Sequence, residues 1–181
     1  QRQMCIRDSS HSVSISSDEL GTLKFHGEGG SSAQAAIDTT AAGDIWDSGF
    51  GVSTANDPKT SKGSDNMIVY TLPTIMDGVG LTASYTPKGS AAAASMAYAI
   101  SYTGVEGLTL DYATGEDDST AGSESDTTTI KASYAYGPLT VSYSQTEFDG
   151  AGTAANTDQE VTSYEVAYTC LLYTSPSPRD R

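Results

Sequence analysis

Between residues 10 and 169 the sequence contains neither cysteine nor arginine. Without cysteine, this stretch can form no disulfide framework, no cysteine-ligated zinc site and no thiol nucleophile. Five lysines are its only strong bases. The whole chain has 23 acids and a formal net charge of −14; without Asp8, Asp180 and the four terminal arginines, 21 acids and a net charge of −16 remain. We therefore expect no nucleic-acid partner, because phosphate binding needs clusters of lysine and arginine.

The two missing residue types occur only at the ends of the chain. Both cysteines, Cys5 and Cys170, and all four arginines lie in residues 1–9 and 170–181. Residues 170–175 can be encoded by TGTCTCTTATACACATCT. The reverse complement of that DNA, read from its ATG, encodes Met-Cys-Ile-Arg-Asp, the sequence of residues 4–8. Both ends resemble a translated transposase adapter from sequencing libraries, so we expect them to be artefacts and residues 10–169 to be an internal fragment of the natural protein.

No long apolar run is present either. The longest extends from residue 91 to residue 100 and is interrupted by Ser95, whereas a transmembrane helix needs about 20 apolar residues. Large apolar residues instead alternate with small or polar ones, which is typical of β-strands with two unlike faces. This alternation predicts nine strands, at residues 12–17, 20–28, 66–72, 79–86, 96–103, 107–115, 127–137, 139–148 and 161–169.

Short and long connections alternate between these strands. The short ones are residues 17–20, 73–78, 104–107 and 137–138, and the long ones are residues 29–64, 87–95, 116–126 and 149–160. Such regularity predicts an antiparallel meander, whereas a sandwich with Greek-key connections need not alternate in this way. Tyrosines on the apolar faces fit the aromatic girdles of an all-β, up-and-down transmembrane barrel. They also suit the core of the alternative, a secreted acidic β-sandwich that acts as an adhesin or surface-layer module.

Several short motifs follow one another in a characteristic order. They are GTLKFHGE at residues 21–28, an acidic loop, DNMIVYTLP at 65–73, GLTASYTPKG at 80–89, ASYAYGPLTVSYSQTEFD at 132–149 and TSYEVAYT at 162–169. Their order resembles that of the general bacterial outer-membrane porin family. The resemblance implies a water-filled outer-membrane channel for passive diffusion of small polar solutes, without cofactor or catalysis. It also implies a homotrimer of barrels with about 16 strands, in contact with membrane lipid and lipopolysaccharide, of which this chain supplies an incomplete barrel.

The acidic loop carries the main functional prediction. In the porins that this chain resembles, the corresponding loop folds into the barrel lumen, which places residues 29–64 inside the channel. Acidic side chains in a narrow aqueous pore favour cations, so we predict a cation preference. The predicted constriction residues are Glu28, Asp38, Asp44, Trp46, Asp47 and Asp57. The alternative is that these acids only solvate a flexible loop.

Strand parity predicts which charged side chains face the lumen. The resemblance places Leu23 and Phe25 outward, so their neighbours point inward. The predicted lumen-facing residues are Lys24, His26, Asp111, Lys131 and Glu165, and we expect His26 to be a solvated residue rather than a ligand or gate. Typical porins oppose the acidic loop with a ladder of arginines, and residues 10–169 contain none. A basic wall must therefore come from Lys24, His26 and Lys131, or from a part of the barrel outside this chain.

Signatures of catalysis and metal binding are missing. The sequence has no phosphate-binding glycine loop, no His-Glu-x-x-His and no Gly-x-Ser-x-Gly. Acids at residues 116–118 and 124–126 lack the EF-hand pattern, so we expect a solvated loop tip rather than a calcium site. The prediction is a channel that is not an enzyme and holds neither metal nor cofactor.

Overall fold

The structure is a computed structural model, and it describes residues 11–37, 41, 58–61, 65–73, 76–89, 93–118, 120–122, 124–150 and 158–169. These residues form nine strands and no helix, which confirms the all-β prediction. The strands are β1 (Ser12–Ser17), β2 (Gly21–His26), β3 (Met67–Thr71), β4 (Val79–Thr86), β5 (Ser95–Tyr102), β6 (Leu108–Asp117), β7 (Ser125–Tyr136), β8 (Leu139–Gly150) and β9 (Gln159–Tyr168). Every bound lies within two residues of its predicted position. None of the described residues belongs to a helix that could span a membrane.

The nine described strands form a single antiparallel sheet. Their order in the sheet is their order in the sequence, from β1 to β9. β7 and β8 are the longest pair, and their register runs from Ser125 opposite Gly150 to Tyr136 opposite Leu139. Within the described residues, β1 and β9 each pair with one strand, so the sheet is open. The predicted up-and-down meander is confirmed, and the open sheet agrees with an incomplete barrel.

The short connections all lie at one end of the sheet, and glycine makes two of them possible. Gly78, just before β4, has a φ of 76°, and Gly107, just before β6, has a φ of 77°. Residues with a Cβ atom rarely adopt this conformation. The amide of Val79 then donates to the carbonyl oxygen of Met76 at 3.0 Å, which closes a tight turn. Each turn reverses the chain within a few residues and so brings consecutive strands side by side.

The alternation of residues gives the sheet two unlike faces. One, the apolar face, carries leucine, isoleucine, valine and tyrosine side chains that are exposed or half-exposed; Tyr112 and Ile130 retain 46 % of their accessible surface. The opposite, polar face carries small and hydroxyl-bearing residues. One cross-strand row of the polar face consists of Ser84, Ala97, Gly115, Thr127 and Phe148. Each of these five is buried, so the described sheet buries its polar face and exposes its apolar face.

Tyrosines mark the turn end of the apolar face. Tyr70, Tyr102, Tyr136 and Tyr168 are each the last or second-to-last residue of an odd-numbered strand, from β3 to β9. The hydroxyl of Tyr70 donates to the backbone carbonyl oxygen of Leu20 at 2.5 Å. A ring with a polar tip suits a boundary where an apolar medium meets water. The apolar face therefore has a defined edge at this end.

Strands β6 to β9 extend beyond the apolar alternation at the other end. β6 continues to Asp117 and β7 begins at Ser125, so the prediction that residues 116, 117, 125 and 126 belong to a loop tip is wrong. Glu116 pairs with Asp126, and Asp126 pairs with Asp149. Both faces are polar in this region. Apolar alternation therefore stops before backbone pairing does.

Candidate functional site

The connection between β2 and β3 crosses the polar face. We call residues 27–66 the crossing segment; the structure describes residues 27–37, 41, 58–61, 65 and 66 of it. Three of its backbone amides donate to side-chain oxygens of the sheet: Ala33 to Ser84 Oγ at 2.9 Å, Ala41 to Ser144 Oγ at 2.8 Å and Lys59 to Gln159 Oε1 at 3.1 Å. The acceptors lie on β4, β8 and β9. At about 4.8 Å per strand spacing, these attachments extend over about 24 Å of the sheet.

One buried glutamine joins the two limbs of the crossing segment. The first limb is residues 27–37 with 41, and the second limb is residues 58–61 with 65 and 66. Gln34 is fully buried. Its Nε2 donates to Thr129 Oγ1 on β7 at 2.9 Å, and its Oε1 accepts a hydrogen bond from the amide of Ser61 at 2.7 Å. The hydroxyl oxygens of Ser32 and Ser61 are also 2.7 Å apart. We call the polar face beneath the crossing segment the wall. Ser32, Gln34, Ser61 and Thr129 are the neck, because both limbs meet the wall there.

The wall beneath the segment is rich in hydroxyl groups. Thr127, Thr129, Ser144 and Thr146 are at most 1 % exposed. Thr129 Oγ1 and Thr146 Oγ1 are 3.0 Å apart. An ordinary core would place leucine, isoleucine or valine at such positions. Ser84 and Ser144 instead accept from backbone amides of a connection that has no strand partner of its own, and Thr129 accepts from the side chain of Gln34.

Gly115 on β6 lets the neck approach the wall. A Cβ atom built at this position would lie 2.5 Å from Ser61 Oγ and 2.6 Å from the Cβ of Ala97. Both distances are shorter than van der Waals contact. The crossing segment therefore packs directly against the backbone of β6, and a larger residue at this position would displace it.

Three features now coincide: an exposed apolar face, a buried polar face and a long connection folded onto the polar face. The sequence profile of the Gram-negative porin family matches residues 6–170. The chain belongs to the Gram-negative porin family. This confirms the resemblance and the expected location in the outer membrane, and it implies a channel rather than an enzyme. No curated protein sequence matches the chain.

The charged residues that parity predicted for the porin lumen all lie on the polar face, and all are half-buried. They are Lys24, His26, Asp111, Lys131 and Glu165. Asp111 on β6 and Lys131 on β7 are direct register partners. Lys131 pairs with Ser144, and Glu165 pairs with Ser142, so Glu165 lies one position along the same face. Asp111 and Lys131 are thus neighbours, and Glu165, two strands further along the sheet, completes a group of charges spread over β6 to β9.

The other two lumen candidates lie apart from that group. Lys24 pairs with Val69, and His26 pairs with Met67, both on β3. Four strand spacings separate β2 from β6, which is about 19 Å. The polar face of the porin thus carries two separate basic positions on strands, one on β2 and one on β7.

Of the predicted constriction residues, only Glu28 falls within the described part of the chain. It is exposed and lies in the crossing segment just after β2. The amide of nearby Gly29 donates to Asp65 Oδ1 at 3.2 Å. The others, Asp38, Asp44, Trp46, Asp47 and Asp57, lie outside the described residues. The described residues contain no group of three or more histidine, cysteine, aspartate or glutamate side chains arranged for a metal ion.

Sequence reasoning missed the residues that hold the crossing segment in place. These are the neck and Lys59, whose Nζ lies 4.4 Å from the centroid of the Phe148 ring. The sequence did carry a signal for the wall: hydroxyl-bearing residues recur at alternate positions of β7 and β8, and their oxygens, once buried, need hydrogen-bond donors. Gln34 carries no such local signal, because its two partners are 27 and 95 residues away in the sequence.

Proposed function

We propose that this porin forms a water-filled channel for the passive diffusion of small polar solutes, with a preference for cations. The observation that carries the proposal is the inverted arrangement of the two faces. The apolar face is exposed, whereas the polar face is covered by the crossing segment. A sheet curved with its apolar face outward meets lipid, and its polar face then encloses water.

The tyrosines of the apolar face suit a bilayer boundary. Along β4 the apolar face runs from Val79 to Tyr85, about 20 Å along the strand at about 3.4 Å per residue. Because barrel strands tilt by about 35–45°, this length spans about 15 Å of an apolar band that is about 25 Å tall in outer-membrane barrels. The tyrosines at the turn end of the sheet then lie where headgroups meet the hydrocarbon. This aromatic border supports lipid as the neighbour of the apolar face.

The alternative, a secreted acidic β-sandwich, makes a different demand on the sheet. Two apolar faces must pack against each other in a sandwich. Among the described residues, the layer that covers the sheet lies on the polar face and bonds to serine and threonine hydroxyls. This geometry favours the channel over an adhesin or surface-layer module.

The cation preference rests on the balance of charge inside the channel. We assign Glu28, Asp38, Asp44, Trp46, Asp47 and Asp57 to the constriction. Against these acids the polar face of the strands offers Lys24 and Lys131, and the latter lies opposite Asp111. A low-dielectric wall strengthens the field of carboxylates in a narrow pore. Excess negative charge therefore raises the local concentration of cations.

The reversal potential of the full-length porin in a planar bilayer under a KCl gradient tests this preference. We expect the sign that indicates K⁺ permeating more readily than Cl⁻. Replacing Asp44 and Asp47 by asparagine should move the reversal potential toward zero, because two constriction charges are lost. Lys24→Gln, the matched change of opposite sign, should move it away from zero. Anion preference in the unchanged porin contradicts the proposal, and insensitivity to both aspartates supports the alternative of a solvated loop.

We also propose a homotrimer in contact with outer-membrane lipid and lipopolysaccharide. The family to which the chain belongs supports this assembly. Light scattering of the porin in mild detergent should give three times the mass of the heated, unfolded chain. A folded monomer under those conditions would contradict the trimer.

A further inference from the structure

Both polar atoms of the Gln34 side chain form hydrogen bonds in the neck. Its Nε2 donates to Thr129 Oγ1, and its Oε1 accepts from the amide of Ser61. Thr129 is in turn bonded to Thr146. A continuous hydrogen-bonded chain thus runs from the second limb through Gln34 into β7 and β8.

We propose that Gln34 is the positioning residue of the crossing segment: its amide fixes both limbs to β7 and so sets how far the segment extends across the channel. The role rests on the proposed channel function. Other bonds of the segment do one task each: Ala33 to Ser84 and Lys59 to Gln159 attach a single limb to the sheet, whereas Ser32 to Ser61 and Gly29 to Asp65 join the limbs to each other. Gln34 bonds to the wall and to the opposite limb at once, so its loss separates the joined limbs from β7.

Burial makes this bond pair costly to lose. Gln34 is fully buried, and Ser61 is 2 % exposed. Water cannot replace a missing partner easily at such a site, so an apolar side chain at position 34 leaves the Ser61 amide without an acceptor. The Ser61 amide can then bond to water only if the crossing segment moves away from the wall. Removal of the amide therefore favours a displaced crossing segment.

The chemistry of the neck selects glutamine. The side chain must accept from a backbone amide and donate to a hydroxyl that is already shared with Thr146. Glutamine carries one acceptor and one donor at its tip. Asparagine has the same groups but one methylene less. Glutamate would bring a charge into a buried site.

Neck closure can be measured without any channel activity. Ser32 Oγ and Ser61 Oγ are 2.7 Å apart, so a Ser32→Cys/Ser61→Cys variant of the full-length porin should form a disulfide readily. Residues 10–169 contain no other cysteine, and cysteines elsewhere in the chain are changed to serine. Adding Gln34→Met, which is similar in size but cannot form these bonds, should slow the cross-link about tenfold. Thr60→Ala, an exposed neighbour of Ser61, is the control and should leave the rate unchanged.

The bond to β7 is tested by a double-mutant cycle. Thr129→Val should slow the same cross-link, because it removes the wall partner of Gln34. The combination of Gln34→Met and Thr129→Val should be little slower than the slower single variant, since both changes break one shared bond. Equal cross-linking rates with and without Gln34→Met overturn the positioning role. Additive effects in the cycle overturn the assignment of Thr129 as the wall contact.

Single-channel recordings link the neck to conduction. In the Gln34→Met porin we expect the fraction of time outside the main conductance level to rise about tenfold, with no such rise in the Thr60→Ala porin. A slower cross-link in a porin that never conducts refutes the channel and keeps the role of Gln34 in positioning the segment. If the porin conducts but neither the cross-linking rate nor the conductance levels change on Gln34→Met, the role of Gln34 is refuted and the channel function stands.

Discussion

Replacing Gly115 with alanine tests how closely the crossing segment packs on the wall. The new Cβ would lie 2.5 Å from Ser61 Oγ, 2.9 Å from Ser61 Cβ and 2.6 Å from Ala97 Cβ. The serine oxygen could rotate away, but the two Cβ atoms are fixed to their backbones. The contact can therefore be relieved only if the crossing segment or strand β5 moves.

Two effects of opposite sign compete in this substitution. Alanine restricts the unfolded chain more than glycine does, which stabilises a folded protein by about 0.4–1 kcal/mol where the site has room. Overpacking a filled site costs about 1–3 kcal/mol. The close contacts at Gly115 make the second effect the larger one. We expect a net destabilisation of about 1–2 kcal/mol, or a fall in Tm of about 2–8 °C for a domain of this size.

Gly80 supplies the matched control. It also lies in a strand on the polar face, but a Cβ there would come no closer than 4.0 Å to Ser101 Cβ. Gly80→Ala should therefore leave the Tm unchanged or raise it. Calorimetry of the full-length porin in detergent measures both variants, and Ser61→Gly in the Gly115→Ala background should recover part of the loss. If the Gly115→Ala porin is as stable as the Gly80→Ala porin, the crossing segment does not pack closely on β6.

Two further predictions concern the hydroxyl wall and the apolar face. Thr127 Oγ1 is the one buried side-chain oxygen or nitrogen without a hydrogen-bond partner among the described residues, so Thr127→Val should stabilise the porin by about 1 kcal/mol. Thr129→Val, which removes two bonds, should cost about 1–3 kcal/mol; urea unfolding compares the pair, and the reverse ranking would contradict the hydrogen-bonding scheme. Val141→Arg on the apolar face should cost about 2–4 kcal/mol in lipid, whereas Thr140→Arg on the polar face should cost much less. Folding in vesicles measures this difference, and equal costs would mean that the apolar face does not meet lipid.

The sequence was sufficient to predict the strands because each face of the sheet is uniform along most of its length. Leu139, Val141 and Tyr143 alternate with Thr140 and Ser142, and this alternation gives both the strand and its two faces. Alternation, together with the resemblance for Lys24, assigned Lys24 and Glu165 to one face, and both residues lie on the polar face of the sheet. Alternation failed at the ends of β6 to β9. There Asp126 and Asp149 replace apolar residues, and only backbone hydrogen bonds continue the strand.

The contacts of the crossing segment could not be predicted in the same way. Gln34 lies among small residues in the stretch SSAQAAI, where nothing distinguishes it from a loop residue. Its role depends on Thr129 on β7, which reaches it only after the four intervening strands, β3 to β6, have formed and paired. Such a contact follows from the register of the whole sheet. Local pattern carries no information about it.

Modification of introduced cysteines during conduction shows which face of the sheet lines the channel. Asp111 lies on the polar face and Tyr112, its neighbour, on the apolar face, where it is exposed. The full-length porin carries either Asp111→Cys or Tyr112→Cys, and a bulky, water-soluble thiol reagent is added while the current is recorded. We expect the current to fall in the Asp111→Cys porin and to stay constant in the Tyr112→Cys porin. Block through Tyr112→Cys, with none through Asp111→Cys, would mean that the polar face does not line the channel.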